Sequence, residues 1–327
     1  MNQRRFTLGL TNVLLLLVLI FGGWWVVDNR QEIIDWWRLR NYTAPAEIAR
    51  ISDETDMTQR ARELFYVSDP KIQDREAFNF NCETTPEHGR VLGCYASQKI
   101  YLFNVTDQRL AGVLQVTAVH EMLHAAYERL DSDTRQKVDA MVRREADNLK
   151  NDKKLQDLLA IYEKTEPGEL ANELHSILAT EYQTLPADLE EYYKQYFTQG
   201  RAKVIALQRA YNAEFDASKA RIDAYQQQLD TLKPQIDANT TDLKRRDAEI
   251  DAEKQRLDSL RTTNVAEYNK EVPGFNAKAQ EYNRIARATQ SMVAQYNDIV
   301  AKVKNEVALQ QDLNKSLDSQ YTPVSTQ

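Results

Sequence analysis

Cysteine is nearly absent from this chain of 327 residues, which has only Cys82 and Cys94. With His88 between them, they fall one ligand short of a four-coordinate zinc knuckle. A bridge and a pair of free thiols remain as readings. A bridge would close a short loop holding Pro86, His88 and Gly89 and contribute on the order of 3 kcal/mol. It would also point to an oxidising compartment, where disulfides persist. Positive charge is nowhere concentrated: Lys and Arg number 42 against 49 Asp and Glu, the net charge is −7, and no basic block occurs. Nucleic-acid binding therefore gets no support.

Long apolar runs are scarce too, with one exception. Residues 6–27 carry no charge and are dominated by Leu, Val and Ile, a length that spans a bilayer core. Arg4 and Arg5 precede the run with no acid beside them, which favours a cytoplasmic N-terminus, although Arg30, Arg38 and Arg40 follow on the other side. No A-x-A-like cleavage site follows. The run reads as an uncleaved single-pass anchor, with the bulk of the chain outside the cytoplasm. All four tryptophans (Trp24, Trp25, Trp36, Trp37) sit at or just after its exit, and Trp prefers the headgroup layer. Ile33-Ile34 with Trp36-Trp37 predicts a short helix lying in that interface. The expected order is a cytoplasmic tail at 1–5, an anchor at 6–27 and an interfacial segment at 28–42.

Residues 117–126 read Thr-Ala-Val-His-Glu-Met-Leu-His-Ala-Ala. His120 and His124 stand four apart, about 40° from one another around an α-helix, so both imidazoles reach a single ion. Glu121 is the residue type that takes a proton from a metal-bound water. From 111 to 126 the only ionisable groups are these three. A solvated helix would be polar over half its surface. A buried helix holding two histidines and a glutamate needs something to satisfy them, and a metal does so. The plain alternative is a core helix whose histidines bond to backbone carbonyls.

The segment resembles the zincin metallopeptidases, over roughly residues 95–185. Thr117, Ala118, Met122, Leu123, Ala125 and Ala126 fit the flanking pattern of that family. In zincins of the glutamate type the third zinc ligand is a Glu on a later helix, and Asn172, Glu173 and Ser176 match that arrangement, so the resemblance implies Zn2+ held by His120, His124 and Glu173. It implies metal-assisted peptide hydrolysis, with Glu121 taking the proton of the attacking water and returning it to the leaving amine. Ile177 departs from the family, which often has Asp there. His175, Glu169 and Glu181 are the rival ligands. His175 points about 200° away from Glu173 on a helix, and His175 or Tyr182 could instead steady the oxyanion. Asn172 and Glu181 are candidates for supporting contacts. Lys99–Val105 reads as a strand, in the place of the edge strand that zincins set beside the active helix for peptide substrates.

Beyond about residue 187 Gln, Asn, Asp, Lys, Arg and Ala dominate. Phe215, Ile222, Leu229, Ile236, Leu243, Ile250 and Leu257 recur at steps of seven, the heptad of a coiled coil. Pro234 predicts a kink near residue 230. Val272-Pro273-Gly274 is the strong break, with a turn between 262 and 276 and a second helix over about 275–317. Two seams of one period predict an antiparallel hairpin, with a second chain as the other possible partner. The expected fold is α+β and mostly α: one helical stretch at 44–66, one or two strands within 75–106, the active helix at about 108–129, charged helices over 132–165 and the Glu173 helix. The expected units are a zincin-like domain at 43–199, a coiled-coil hairpin at 200–319 and a frayed tail at 320–327. Three functions compete: a membrane-anchored zinc metallopeptidase, a structural coiled-coil protein of the envelope whose H-E-x-x-H helix is degenerate, and a peptidase fold that binds without cleaving.

Overall fold

A computed structural model describes residues 19, 21–27, 29–82, 91–165 and 168–320. The tail expected at 1–5, most of the apolar run at 6–27, the loop residues Pro86, His88 and Gly89, and residues 321–327 lie outside the described residues. Among the described residues no helix is long and apolar enough to cross a membrane. The chain is mostly helical with one three-stranded sheet. It forms two compact units, Met1–Asn212 with Lys315–Gln327, and Ala213–Asn314.

The first unit is built around α5 (Val113–Glu128), whose uncharged sequence lets it be buried on nearly every side. A left-handed Gly112, φ 101°, starts it, and a Cβ there would lie 2.7 Å from the Leu207 carbonyl oxygen. Both the backbone angle and that close approach require glycine. Before α5 come α1 (Arg30–Leu39), α2 (Ala46–Glu54), α3 (Gln59–Val67), β1 (Lys71–Gln73), α4 (Arg75–Cys82), β2 (Gly93–Ala96) and β3 (Lys99–Phe103). After it come α6 (Ser132–Asn148), α7 (Lys153–Thr165), α8 (Leu170–Glu181) and α9 (Ala187–Tyr193). α5 packs against α8, α3, α2, β2 and β3, which closes the main apolar core.

The single helix expected at 44–66 is two helices. Asp56 takes a left-handed φ of 58°, which turns Met57 into the core, 2% exposed, where it bridges Phe197. Thr58 then caps α3 by accepting from the Ala61 amide. The sheet runs β1-β3-β2, β1 parallel and β2 antiparallel to β3. The strand at 99–103 is therefore central, and β2 is the edge strand that lies against α5. Ser97 and Gln98, both at positive φ, make the two-residue turn whose twist suits a hairpin. Cys82 at the end of α4 is disulfide-bonded to Cys94 of β2.

The second unit is a pair of antiparallel arms from α10 (Ala202–Thr263) and α11 (Val265–Ser316). Arg221 meets Glu306, Asn239 meets Met292 and Lys278 meets Glu253, so one arm descends as the other rises. Each heptad residue from Phe215 to Leu257 is at least partly shielded. Only Asn264 interrupts the helices, its side chain accepting from the Glu267 amide. The expected break at Pro273-Gly274 is absent, and α11 runs through both residues, as α10 runs through Pro234. Ion pairs from Arg256 to Glu271 and from Lys278 to Glu253 brace α11 on either side of Pro273, and the aromatic seam of Tyr268 and Phe275 stays shielded across it.

Candidate metal centre

Helical spacing alone brings His120 and His124 onto one turn of α5, with ring centroids 4.8 Å apart. The packing of α8 on α5 supplies the third group. A Glu173 carboxylate oxygen lies 3.8 Å from His120 Nε2 and the other 3.7 Å from His124 Nε2. The potential donor atoms of the three residues all lie within 4.8 Å of one another. Four ligands bound tetrahedrally at about 2.0–2.1 Å sit about 3.3 Å apart. With one donor atom from each residue the widest separation is 4.8 Å, so the set must contract by about 1.5 Å to meet on one ion.

The electrostatics of the donor set suit a cation. Burial, with the neighbouring His124 and His175 rings, holds His120 well below the usual imidazole range, so its ring is neutral. His124 is 5% exposed, and its Nε2 has no hydrogen-bond partner among the described residues. A buried, unsatisfied ring nitrogen is costly unless something accepts its lone pair. Its other nitrogen is committed. Asn172 donates through Nδ2 to Glu169 Oε2 at 3.0 Å, which turns its Oδ1 toward His124 Nδ1 at 2.9 Å. This chain of carboxylate, amide and imidazole puts the proton on Nδ1 and leaves the Nε2 lone pair facing Glu173. Ser176 Oγ stands 3.5 Å from the same Nδ1.

Glu121 is 2% exposed, on the helix step after His120. It lies against the edge strand: a Cβ on Gly93 would fall 2.7 Å from Glu121 Oε1 and 2.6 Å from Thr117 Cγ2. Only glycine lets β2 run this close to the carboxylate. A cavity of about 200 Å³ opens beside His120, Glu121 and Glu173. Its walls include Val91 and Gly93 from the β2 side, Thr117 from α5, Tyr162 from α7, Ile177 from α8 and Tyr211 from α10. The phenol of Tyr211 is pushed up to about 12, chiefly by burial, so it is a neutral wall over the physiological range.

The other sequence candidates are not among the three donors. His175 is fully buried, with Nε2 3.0 Å from the Tyr192 hydroxyl and its ring among Tyr127, Tyr192, Tyr193 and Tyr196. Burial, and then the His124 ring, hold it down to about 3, a neutral core histidine that is not one of the three donors. Tyr182 donates to Asp152 at 2.8 Å and is not part of the cavity wall. Glu181 lines the cavity and accepts from Lys154 at 2.8 Å. Glu169 acts on the site only through Asn172. Sequence reasoning missed Gly93, Tyr162 and Tyr211, and no local pattern marks them, since each reaches the cavity through tertiary packing.

Compared with known proteins, the chain matches no family model, no curated protein and no solved structure.

Proposed function

We propose that the chain is a membrane-anchored zinc metallopeptidase of the zincin kind with a glutamate third ligand, hydrolysing peptide bonds outside the cytoplasm. The observation that carries this reading is the convergence of two imidazole nitrogens and one carboxylate from separate helices, beside a buried glutamate and a cavity. His120, His124 and Glu173 would hold the ion, three protein ligands leaving one position toward the cavity. When bound, zinc supplies a Lewis acid that polarises a carbonyl and acidifies a water. Glu121 accepts the proton of the attacking water as the new carbon–oxygen bond forms. It then delivers that proton to the departing nitrogen as the carbon–nitrogen bond breaks. The Glu169–Asn172 pair keeps His124 in the tautomer that ligates. The apolar run at 6–27 and the Cys82–Cys94 bridge support a place outside the cytoplasm.

Zinc content and peptide hydrolysis, measured on wild type, Glu121→Gln and His124→Ala, test the reading. The expected result is about one zinc per chain in the first two, little in the third, and hydrolysis by wild type alone. Absence of metal from all three would favour a coiled-coil spacer. Metal without hydrolysis of any peptide in a broad library would favour a fold that binds and does not cleave.

A further inference from the structure

The outward face of α1 exposes large aromatics among charged side chains, the acid Glu32 included. Trp36 and Trp37 are 58% and 61% exposed, and Ile34 is exposed beside them. Exposed aromatic surface on this scale marks an interaction site. The helix before α1, residues 21–27, exposes Trp24, Trp25, Val26 and Val27. Backbone hydrogen bonds from Asn29 to Trp25 and from Ile33 to Asn29 carry that helical segment into α1. The exposed face therefore continues that of residues 21–27.

Charge identifies the occupant. The Arg40 guanidinium lies over both indoles, 5.5 Å and 5.8 Å from their centroids, and Arg30 and Arg38 are exposed nearby. Asp35, an acid of the same helix, is turned inward. It pairs at 2.7 Å with Arg129, and both side chains are largely buried, at 16% and 9% exposure. Indoles beside arginines match the layer where lipid phosphates meet acyl chains.

The inward face of α1 leads to the metal centre. Arg129 directly follows α5, bonding to the Ala125 carbonyl and to the Tyr95 hydroxyl of edge strand β2. Five residues separate Arg129 from His124, about 7.5 Å along the helix axis. Adding an interhelical spacing and a helix radius puts the three donors within roughly 25 Å of the outer face of α1.

We infer that α1 lies in the headgroup layer of a bilayer and, through the Asp35–Arg129 pair, holds the metal centre just above it, so that the polypeptide it takes is one held at the membrane surface. The placement of α1 stands on its own; the substrate class rests on the peptidase reading.

The test uses the full chain in vesicles of phosphatidylcholine and phosphatidylglycerol. Trp24→Phe with Trp25→Phe leaves Trp36 and Trp37 as the only indoles. Lipids brominated near the glycerol should quench them more than lipids brominated near the chain ends, and absence of quenching by either overturns the placement. The zinc-loaded chain is then given one peptide anchored to lipid by polyproline spacers of about 20 Å or about 60 Å, at about 3.1 Å per residue. Hydrolysis should fall at least tenfold with the longer spacer. Trp36→Ser with Trp37→Ser should flatten that difference and leave hydrolysis of the soluble peptide unchanged. Equal rates at both spacings in wild type overturn the substrate class. Failure to cleave any form with zinc bound counts against the peptidase reading instead, and quenching still decides where α1 lies.

Discussion

Replacing Gly93 by alanine isolates the approach of the edge strand to Glu121. The new methyl would meet Thr117 Cγ2 at 2.6 Å, Glu121 Oε1 at 2.7 Å and Glu121 Cγ at 2.8 Å. Ordinary contact begins near 3.4 Å, so strand, threonine or carboxylate must give by about 0.7 Å. Both neighbours belong to a helix buried on nearly every side, so the carboxylate and the strand share the movement. Overpacking of this kind costs about 1–3 kcal/mol of stability. A displacement near 1 Å at a reacting group costs about 100-fold in rate, or about 2.7 kcal/mol of transition-state stabilisation. Gly93 touches none of the three metal donors in this way, so zinc content should stay at the wild-type level. The informative partner is Thr117→Ser, which deletes the Cγ2 methyl. In Gly93→Ala/Thr117→Ser the stability should recover in part, because one of the three close contacts is gone. The rate should not, because the clash with Glu121 remains. Urea unfolding, zinc content and kcat/KM for one peptide read the three quantities separately. Full activity in Gly93→Ala, or recovery of rate together with stability in the double variant, would refute Glu121 as the group that the glycine protects.

Three further outcomes follow from other contacts. Asn172→Ala should weaken zinc binding about 10- to 100-fold in a chelator competition, because Nδ1 of His124 loses the partner that sets its tautomer; unchanged affinity would remove Asn172 from the site. Cys82→Ser with Cys94→Ser should lower stability by about 3 kcal/mol in urea unfolding, from the freed twelve-residue separation, and a variant as stable as wild type would contradict a structural bridge. In the hairpin, Arg221 holds the Glu306 carboxyl below its ordinary 4.5. A depressed carboxylate adds stability that is complete above that ordinary value and is lost as pH falls through the lower, folded one. Thermal melts of wild type and Glu306→Gln should therefore differ most near neutrality and converge in acid; a constant difference would deny the ion pair a role.

How much of this was legible in the sequence depends on how far each signal reaches along the chain. Periodicity within one helix was enough for α5, for the two histidines and for the heptad seam, because each repeats over a few residues. The turn between the arms falls inside the expected 262–276, but the break expected at Pro273-Gly274 does not occur, for an instructive reason. Pro273 and Gly274 carry a local cost, yet the opposite arm supplies Arg256 and Glu253 to hold the helix across them. The actual stop is at Asn264, whose cap on Glu267 is a quieter signal. Asp56 was missed similarly. Nothing nearby announces a left-handed aspartate, and its consequence, the bridge from Met57 to Phe197, spans most of the unit. Glu173 came from the family resemblance rather than from geometry, since no spacing rule connects it to His124.

The same distinction explains the cavity. Its wall includes Tyr211, and the start of α5 abuts Leu207, both from the first turns of α10. The end of α11 returns to the same unit, where Ser316 bonds Asp107 and the Ser319 carbonyl accepts from Asn79. Asp107 caps the short 3-10 turn at Gln108–Leu110, just ahead of Gly112. Both roots of the hairpin are thus built into the segment that launches the helix bearing His120, Glu121 and His124. Composition alone separates a polar coiled coil from an apolar motif helix and sees two independent parts. Packing instead places the first turns of α10 and the end of α11 in the first unit, where they form part of the wall and footing of the site. A deletion that removes only residues 213–314 therefore differs physically from one that begins at 200. The second strips Tyr211 from the cavity wall and Leu207 from its place against Gly112, whereas the first leaves every residue of the cavity wall in the chain.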